Sequence, residues 1–292
     1  TNQGVEFTLG WQDKIGDFSY GINGNSTYVK NIVNKFKGRD NGGMSIDGAN
    51  VIWEGHSLNS QYLLRVDRII QTDEDLHLVQ QIIDNANQLY GNNIAENQIF
   101  SSGKPEKGDF LYKDTNGDGL INLDDREIVS DGPNPKFQFG LNLNASYKGL
   151  DFSVLFQGQA GAKIYWQNDL ANTASVRYGY QMNKEVVEGR WYEGRTTSAE
   201  YPRLLEYSNN KNKQMSDFYL QDLSILKIRN IQLGYTLPKS IVSKTSLERI
   251  RVYGSLENFF TFTSFRGFDP ELGGTLGYPT MKNVVVGINV SF

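Results

Sequence analysis

Hydrophobic and polar residues alternate strictly in several bounded runs of this chain of 292 residues. In the cleanest run, aromatic and small or aliphatic residues occupy every second position from Phe137 to Tyr147. Polar residues such as Gln138, Asn142 and Asn144 lie between them. Because successive side chains of a β-strand point to opposite faces, this period of two predicts a strand with one apolar and one polar face.

The same alternation predicts seven long strands. Several of them reach the roughly 9–11 residues with which a tilted strand crosses a bilayer. In the fifth strand the apolar phase shifts near Arg229, which indicates either a β-bulge or a part of the strand that rises above a membrane. The predicted strands are 4–12, 17–30, 136–148, 150–162, 217–236, 249–262 and 282–292.

The connections between these strands are alternately short and long. Short turns on one side of a sheet and long loops on the other are typical of outer-membrane barrels, whereas a soluble β-sandwich has no reason to sort its loops by parity. The fold class that we expect is therefore all-β, a transmembrane antiparallel β-barrel with long extracellular loops. The short links are 13–16, Gly149 and 237–248, and the long ones are 31–135, 163–216 and 263–281.

The long insertion 31–135 contains a predicted amphipathic helix over residues 72–90. Thr72 can cap this helix, Asp75 can complete a capping box, and Gly91 can end it. Two short strands that stay local to the insertion are also expected, at Val51–Trp53 and Tyr62–Ile69.

Residues 114–125 of the same insertion fit the twelve-position calcium loop. Gly119 stands at position 6, where the backbone turns sharply, and Asp125 stands at position 12 in place of the usual Glu. Hard oxygen ligands favour Ca²⁺ over Zn²⁺, so we expect a structural calcium site. The alternative is an Asx- and Gly-rich turn without metal. The expected ligands are Asp114, Asn116, Asp118, Leu120 through its carbonyl, Asn122 and Asp125.

Composition excludes several other classes of protein. The chain has 29 basic and 33 acidic residues, a net charge of −4 and no basic block, so we expect no nucleic-acid partner. The absence of cysteine excludes disulfides and thiolate metal sites. A zinc or Ser-His-Asp mechanism would have to use His56 or His77, and neither lies in a recognisable catalytic motif, so we expect no enzyme.

Aromatic residues are frequent in the second long loop, 163–216. We interpret most of them as the loop's own small core or an upper aromatic girdle, and not as contacts to a sugar or a lid protein. They are Tyr165, Trp166, Tyr178, Tyr180, Trp191 and Tyr192.

Several segments, in this order, give the chain a family resemblance. They are GVEFTLG at 4–10, DTNGDGLINLDDREIV and GPNPKFQFGLNLNASYKGLDFSVLFQGQAG in the middle, YPRLL at 201–205, LKIRNIQLGYTLPKS at 226–240, RVYGSLENFFTFTSFRGFDPELGG at 251–274 and the final GINVSF. With them the chain resembles the C-terminal third of SusC/RagA-type TonB-dependent outer-membrane transporters.

This resemblance implies the last seven strands of a 22-stranded barrel in the outer membrane of a Gram-negative bacterium. It implies an N-terminal plug domain, absent from these residues, and the remaining barrel strands as partners in the same transporter. It further implies a SusD-like surface lipoprotein, energy from TonB, and uptake of oligosaccharides or peptides. The start at Thr1, without a signal segment, is what we expect of a mature, trimmed or partial chain.

Two further sets of residues follow from the barrel interpretation. Gly287, Val290 and Phe292 match the spacing of the outer-membrane assembly signal, from which Val285 is a mild departure. The apolar faces of the strands should meet lipid, and the polar faces should line the lumen. The expected lumen-facing residues are Gln138, Asn142, Asn144, Gln157, Gln232 and Glu257.

The main alternative is a soluble calcium-dependent carbohydrate-binding or adhesion module. It predicts a monomer that needs no detergent and strands without a preference for apolar residues on alternate faces. Seven strands cannot close a barrel alone, because both edges would leave backbone groups unpaired in lipid. We therefore expect the chain to be stable only beside further strands.

Overall fold

The computed structural model describes residues 1–37, 43–91, 94–167, 175–176, 179, 181–195, 198–206, 211–243, 247–275 and 277–292. At its centre lies an antiparallel sheet of seven strands that pair in chain order, so that the first and last strands form its edges. The strands are β1 (Asn2–Ile15), β2 (Phe18–Asn31), β3 (Phe137–Tyr147), β4 (Leu150–Ala160), β5 (Ile225–Thr236), β6 (Arg249–Thr263) and β7 (Asn283–Ser291).

The seven predicted strands are confirmed, but the predicted start of the fifth strand at residue 217 is wrong. Residues Asp217–Tyr219 form a turn of 3₁₀ helix, and Leu220–Asp222 pairs with Lys163–Tyr165 outside the large sheet. Alternation with period two is the same in both kinds of strand, so the pattern could not identify the partner. The second long connection therefore runs from 161 to 224.

The predicted bulge at Arg229 is confirmed. The register shifts between Ile228 and Asn230 where β5 pairs with β6, and Arg229 has no partner in β4 either. One extra residue in a strand reverses the faces of the residues that follow. Lys227 and Asn230 therefore lie on the same face of the sheet, although they are three positions apart.

The large sheet has one polar and one apolar face. Directly paired residues of antiparallel strands point to the same side. One row of pairs crosses six strands of the polar face through Gln12, Gly21, Asn144, Ser153, Gln232 and Ser255. The neighbouring apolar row consists of Trp11, Ile22, Leu143, Val154, Ile231, Leu256 and Val284.

The apolar face is open. Val5, Phe7, Leu9 and Trp11 of β1 are each 59–72 % exposed. Val284, Val286 and Ile288 of β7 are 65–76 % exposed. A contiguous apolar surface of this kind is unusual on a protein in water and marks contact with lipid or another protein.

All three long connections lie at the same end of the strands, because the strands are antiparallel and pair in chain order. We call residues 32–136 the first connection, 161–224 the second connection and 264–282 the last connection. The described helices of the long connections are α1 (Asp73–Tyr90) and α2 (Glu96–Ile99) in the first connection and α3 (Lys184–Gly189) in the second. At the opposite end of the strands, the turn between β5 and β6 contains α4 (Lys239–Val242).

The helix predicted at 72–90 is present in the first connection as α1, with Thr72 as its N-cap. The Thr72 hydroxyl accepts a hydrogen bond from the Asp75 amide at 3.2 Å, and the Asp75 carboxylate accepts one from the Thr72 amide at 3.0 Å. Gly91 ends the helix with a positive φ of 95°. Val79 and Ile83 are among the residues that pack α1 into a core with Ile99, Phe100, Phe110 and Leu111.

Short strands complete the first connection and stay apart from the large sheet. Val66–Ile69 pairs with Phe110–Tyr112. A four-stranded sheet consists of Met44–Asp47, Asn50–Trp53, Ser60–Leu63 and Glu127–Ser130. The local strand expected at Val51–Trp53 is thus present, whereas the single strand expected at Tyr62–Ile69 is divided between Ser60–Leu63 and Val66–Ile69, which belong to different small sheets. As expected, none of these strands belongs to the large sheet.

A buried ion cluster joins the first and second connections. The Asp109 side chain is fully buried and accepts hydrogen bonds from Arg203 Nε at 2.7 Å and from Asn212 Nδ2 at 3.0 Å. Lys211 Nζ lies 2.9 Å from the same carboxylate. Burial of an unpaired carboxylate would be costly, and these donors compensate it. The two connections are therefore packed as one unit.

Across the described ranges, the structure has no helix with both the length and the apolar character needed to span a membrane.

Candidate functional site

The six residues expected to face a lumen lie on the polar face of the large sheet. Asn144 and Gln232 both pair with Ser153, so the three residues belong to one row of the polar face. Asn142 pairs with Asn23 of β2 in the next row. Together with Gly and Ser between them, these amide side chains form a hydrogen-bonding surface with little net charge.

The remaining three of the six extend the same face toward the long connections. Gln157 lies opposite Lys227, and Glu257 lies opposite Asn230. Gln138 pairs with Gln159 of β4. The structure thus brings the six residues onto one continuous surface, although β5 carries a bulge between two of the rows.

The residues of the predicted assembly signal lie on the edge strand β7 and just after it. Gly287 pairs with Tyr253, and a Cβ atom at Gly287 would lie 2.5 Å from the ring of that tyrosine. A side chain at this position would therefore have to displace the tyrosine ring. Val290 pairs with Ile250 on the apolar face, and Phe292 is exposed.

A buried cluster of charges at the bulge was not foreseen from the sequence. Only 3 % of the Lys227 side chain is exposed, and its Nζ lies 3.3 Å from Asp269 Oδ1. The same ammonium contacts the carboxylate of Glu271. Arg229, the bulge residue, also pairs with Glu271 and donates from Nε to Gln157 Oε1 at 2.7 Å.

This cluster holds the last connection on the polar face. Asp269 accepts hydrogen bonds from the backbone amides of Thr280 and Glu271, each at 3.0 Å. Burial by itself would raise the pKa of the Asp269 carboxyl, but the bonds from Thr280 and Glu271 and the charge of Lys227 outweigh it and lower the pKa to about 2. The phase shift at Arg229 was the sequence signal that could have placed Lys227 on this face.

The predicted calcium loop forms a tight turn. Gly119 has a positive φ of 81°, as the sharp turn at position 6 requires. Asp114 accepts hydrogen bonds from the amides of Gly117 at 2.7 Å and Gly119 at 2.8 Å. Buried Asp125 accepts from the amides of Thr115 and Asn122, each at 2.9 Å, while burial raises the pKa of its carboxyl.

The other expected ligands also bond to the backbone of the loop. Asn116 Oδ1 accepts from the Asp118 amide, Asp118 Oδ1 from the Leu120 amide, and Asn122 Oδ1 from the Asp124 amide. Among the residues with described positions, no three His, Cys, Asp or Glu side chains are arranged to hold a metal ion. The oxygen donors suit Ca²⁺ in chemistry, while their arrangement is that of Asx turns.

The aromatic residues described in the second connection do not form a core of that connection alone, since Trp166 and Trp191 pack against the other two long connections and Tyr192 is 51 % exposed. Tyr165 packs against Tyr219 with ring centroids 5.9 Å apart, and Trp166 packs against Phe265 at 5.1 Å. The ring of Trp191 covers Gly108 in the first connection. Tyr178 and Tyr180 lie outside the described residues.

Comparison with known proteins relates the chain to TonB-dependent receptors. No protein-family model matches the chain. It is 28 % identical over 309 residues to TonB-dependent receptor P3 of Formosa agariphila, which covers 100 % of this chain and 28 % of the relative. It is 24 % identical over 297 residues to the TonB-dependent receptor SusC of Bacteroides thetaiotaomicron, covering 100 % of this chain and 26 % of that protein.

Solved structures show the same relation in the fold. The RagAB peptide importer in its open-open state matches with a TM-score of 0.73 and 24 % identity, over 100 % of this chain and 28 % of that one. A second structure of the RagAB peptide transporter gives a TM-score of 0.72 at 21 % identity, with 29 % of that chain covered.

The chain spans just over a quarter of the length of these relatives, and they are receptors and importers, not enzymes. Their identities extend over the whole of this chain, and the matched part of their fold is the seven-stranded sheet with its connections. In sequence and in fold the chain is therefore similar to SusC/RagA-type TonB-dependent receptors, which confirms the resemblance that its motifs indicated.

Proposed function

We propose that the chain is a part of the barrel wall of an outer-membrane, TonB-dependent nutrient importer. The observation that carries this proposal is the two-faced sheet, in which a continuous polar surface backs an open apolar surface. Such a sheet suits a barrel whose outside meets lipid and whose inside is wet. The relatives named above support the same function.

In this proposal the six polar side chains of the expected set, from Gln138 to Glu257, line the path of the cargo. The connections rise on the extracellular side, where they meet a SusD-like lipoprotein. TonB supplies energy through a plug domain, and the cargo consists of oligosaccharides or peptides. The wall itself does no chemistry: it excludes lipid and offers hydrogen bonds to a hydrated solute.

Localisation and uptake of the complete gene product test this function together. We expect the protein in the detergent-extracted outer-membrane fraction, and we expect its deletion to abolish growth on the cargo that it imports. A product that stays in the aqueous phase as a folded monomer would overturn the proposal and favour a soluble calcium-dependent module. Complementation with the intact gene is the control.

We further propose that the loop at 114–125 binds one structural Ca²⁺ ion. The expected ligands are the oxygens of Asp114, Asn116, Asp118 and the other members of the predicted set. In the structure these side chains are turned onto backbone amides of the loop. Binding therefore requires the carboxylates to share their lone pairs with the ion or to turn toward it.

Calorimetric titration of the complete protein with Ca²⁺ tests the site. We expect one bound ion, and no binding after Asp118→Ala. Asp84→Ala is the matched control, since Asp84 lies on α1 of the same connection and bonds to Gln80. Equal heats from both variants and the wild type, or no heat from the wild type, would contradict a calcium site.

A further inference from the structure

A cavity of about 220 Å³ lies at the meeting point of the second and last connections. It is bounded by α3, by the segment 218–221 and by Arg266–Phe268. Ligand pockets that enclose a whole drug-sized molecule measure roughly 300–1,000 Å³. This cavity therefore has room for one side chain or one small ring, and not for a complete ligand.

The aromatic walls of the cavity are held by their mutual packing. Tyr201 and Phe218 meet edge to face with ring centroids 6.0 Å apart, and Phe218 and Tyr219 do so at 5.2 Å. Tyr201 and Tyr219 are each only 2 % exposed. Phe268 also lines the cavity and is 70 % exposed.

The polar end of the cavity combines an acceptor with a donor. Glu185 and Arg266 lie 3.3 Å apart, and both are about half exposed. The Tyr201 hydroxyl donates to Glu185 Oε1 at 2.8 Å and accepts from Arg266. Burial first, and the bond to Glu185 second, raise the pKa of Tyr201 to about 12, so the hydroxyl keeps its proton. The pair is neutral overall.

We propose that this cavity binds one bulky apolar side chain of a peptide cargo. Glu185 accepts from a backbone N–H of that peptide and Arg266 donates to a backbone carbonyl, as their adjacent positions allow. The inference rests on the proposed importer function and names the cargo of one of its subsites.

A sugar ring suits the cavity less well. Sugars place a flat C–H face on an exposed aromatic face, and among the described aromatic rings that line this cavity only Phe268 is largely exposed. Tyr201 and Tyr219 are almost fully buried, so the rest of the aromatic wall is a confined apolar surface, which matches the rounded shape of a leucine or phenylalanine side chain. Glu185 and Arg266 have opposite charges that sum to zero, and together they can accept from and donate to an uncharged peptide group.

The test compares peptides that differ at one position. Gly-Gly-Leu-Gly-Gly, Gly-Gly-Ala-Gly-Gly and a malto-oligosaccharide are titrated into the complete, detergent-solubilised protein. Burial of the leucine side chain predicts roughly 10- to 100-fold tighter binding than that of alanine. Phe268→Ala and Glu185→Gln should each reduce the affinity for the leucine peptide, whereas Tyr278→Ala should not. Tyr278 is exposed in the last connection and does not line the cavity.

Equal affinities for the leucine and alanine peptides would overturn the inference. So would tight binding of the malto-oligosaccharide that Phe268→Ala weakens. Growth on the imported nutrient is measured in strains that produce the wild-type protein or the same variants. If growth depends on the protein but the peptides bind alike, only this cavity assignment fails; if the protein is not in the outer membrane, the proposed function fails.

Discussion

Replacing Lys227 by methionine tests whether the buried charge cluster holds the last connection on the polar face of the sheet. Methionine preserves the length and the apolar stem of the side chain but removes the ammonium. The carboxylates of Asp269 and Glu271 then remain on the face without their buried cation. Arg229 still pairs with Glu271, so the loss falls mainly on Asp269.

The size of the effect follows from the burial of the pair. Removing one partner of a buried ion pair costs about 3–5 kcal/mol, because the other charge stays desolvated. Asp269 keeps hydrogen bonds from two backbone amides, which places the expected cost at the lower end, about 3 kcal/mol. A difference of this size changes the population of the detached connection roughly a hundredfold.

Hydrogen exchange measures that population directly. The Thr280 amide is bonded to Asp269, and it exchanges when the connection lifts off. In the complete protein we expect its exchange to become about a hundred times faster with Lys227→Met. Lys184→Met is the control, because Lys184 is exposed and pairs only at the surface with Glu188. Unchanged exchange at Thr280 in Lys227→Met would refute the reasoning.

Three further predictions concern other parts of the chain. The pKa of Asp269 is lowered from 3.8 to about 2, so the ionised carboxylate stabilises the attached last connection by about 2 kcal/mol. This stabilisation is complete above about pH 4 and is lost as the pH falls toward 2, where we expect pepsin to begin to cut the last connection. Asp109→Ala removes the anion that pairs with Arg203; we expect a loss of about 3–5 kcal/mol in thermal unfolding of the connections, and an unchanged midpoint would contradict it. Gly287→Ala should displace the ring of Tyr253 and lower the yield of folded, heat-modifiable protein on gels, and Tyr253→Ser should restore that yield.

Local patterns in the sequence account for the helix and the strands. The α1 capping box uses Thr72 and Asp75, three positions apart, so its geometry could be read from a short segment. The alternation of 137–147 reports one face without any knowledge of the partner strand. The bulge at Arg229 was visible for the same reason, as a break in period within a single strand.

The sites made by distant residues could not be read in this way. Lys227 meets Asp269 from 42 positions away, and Asp109 meets Arg203 from 94 positions away. No local spacing couples such residues, and each is an ordinary charged residue in its own segment. For the same reason, the sequence pattern did not predict that Leu220–Asp222 pairs with Lys163–Tyr165. The calcium loop differs, because all of its expected ligands lie within twelve consecutive residues. Its hydrogen bonds in the structure are nevertheless those of Asx turns.

The buried junction at Asp109 has a consequence for how such proteins diversify. Its acid comes from the first connection, and its bases come from the second. A recombination event that exchanged the second connection alone would leave the buried carboxylate of Asp109 without its two cations. The two connections are therefore expected to be inherited together as one cassette. The last connection is anchored on Lys227 of the large sheet and also contacts the second connection through Phe265 and Arg266. An incoming last connection would therefore need acids in place of Asp269 and Glu271 and residues that keep these two contacts.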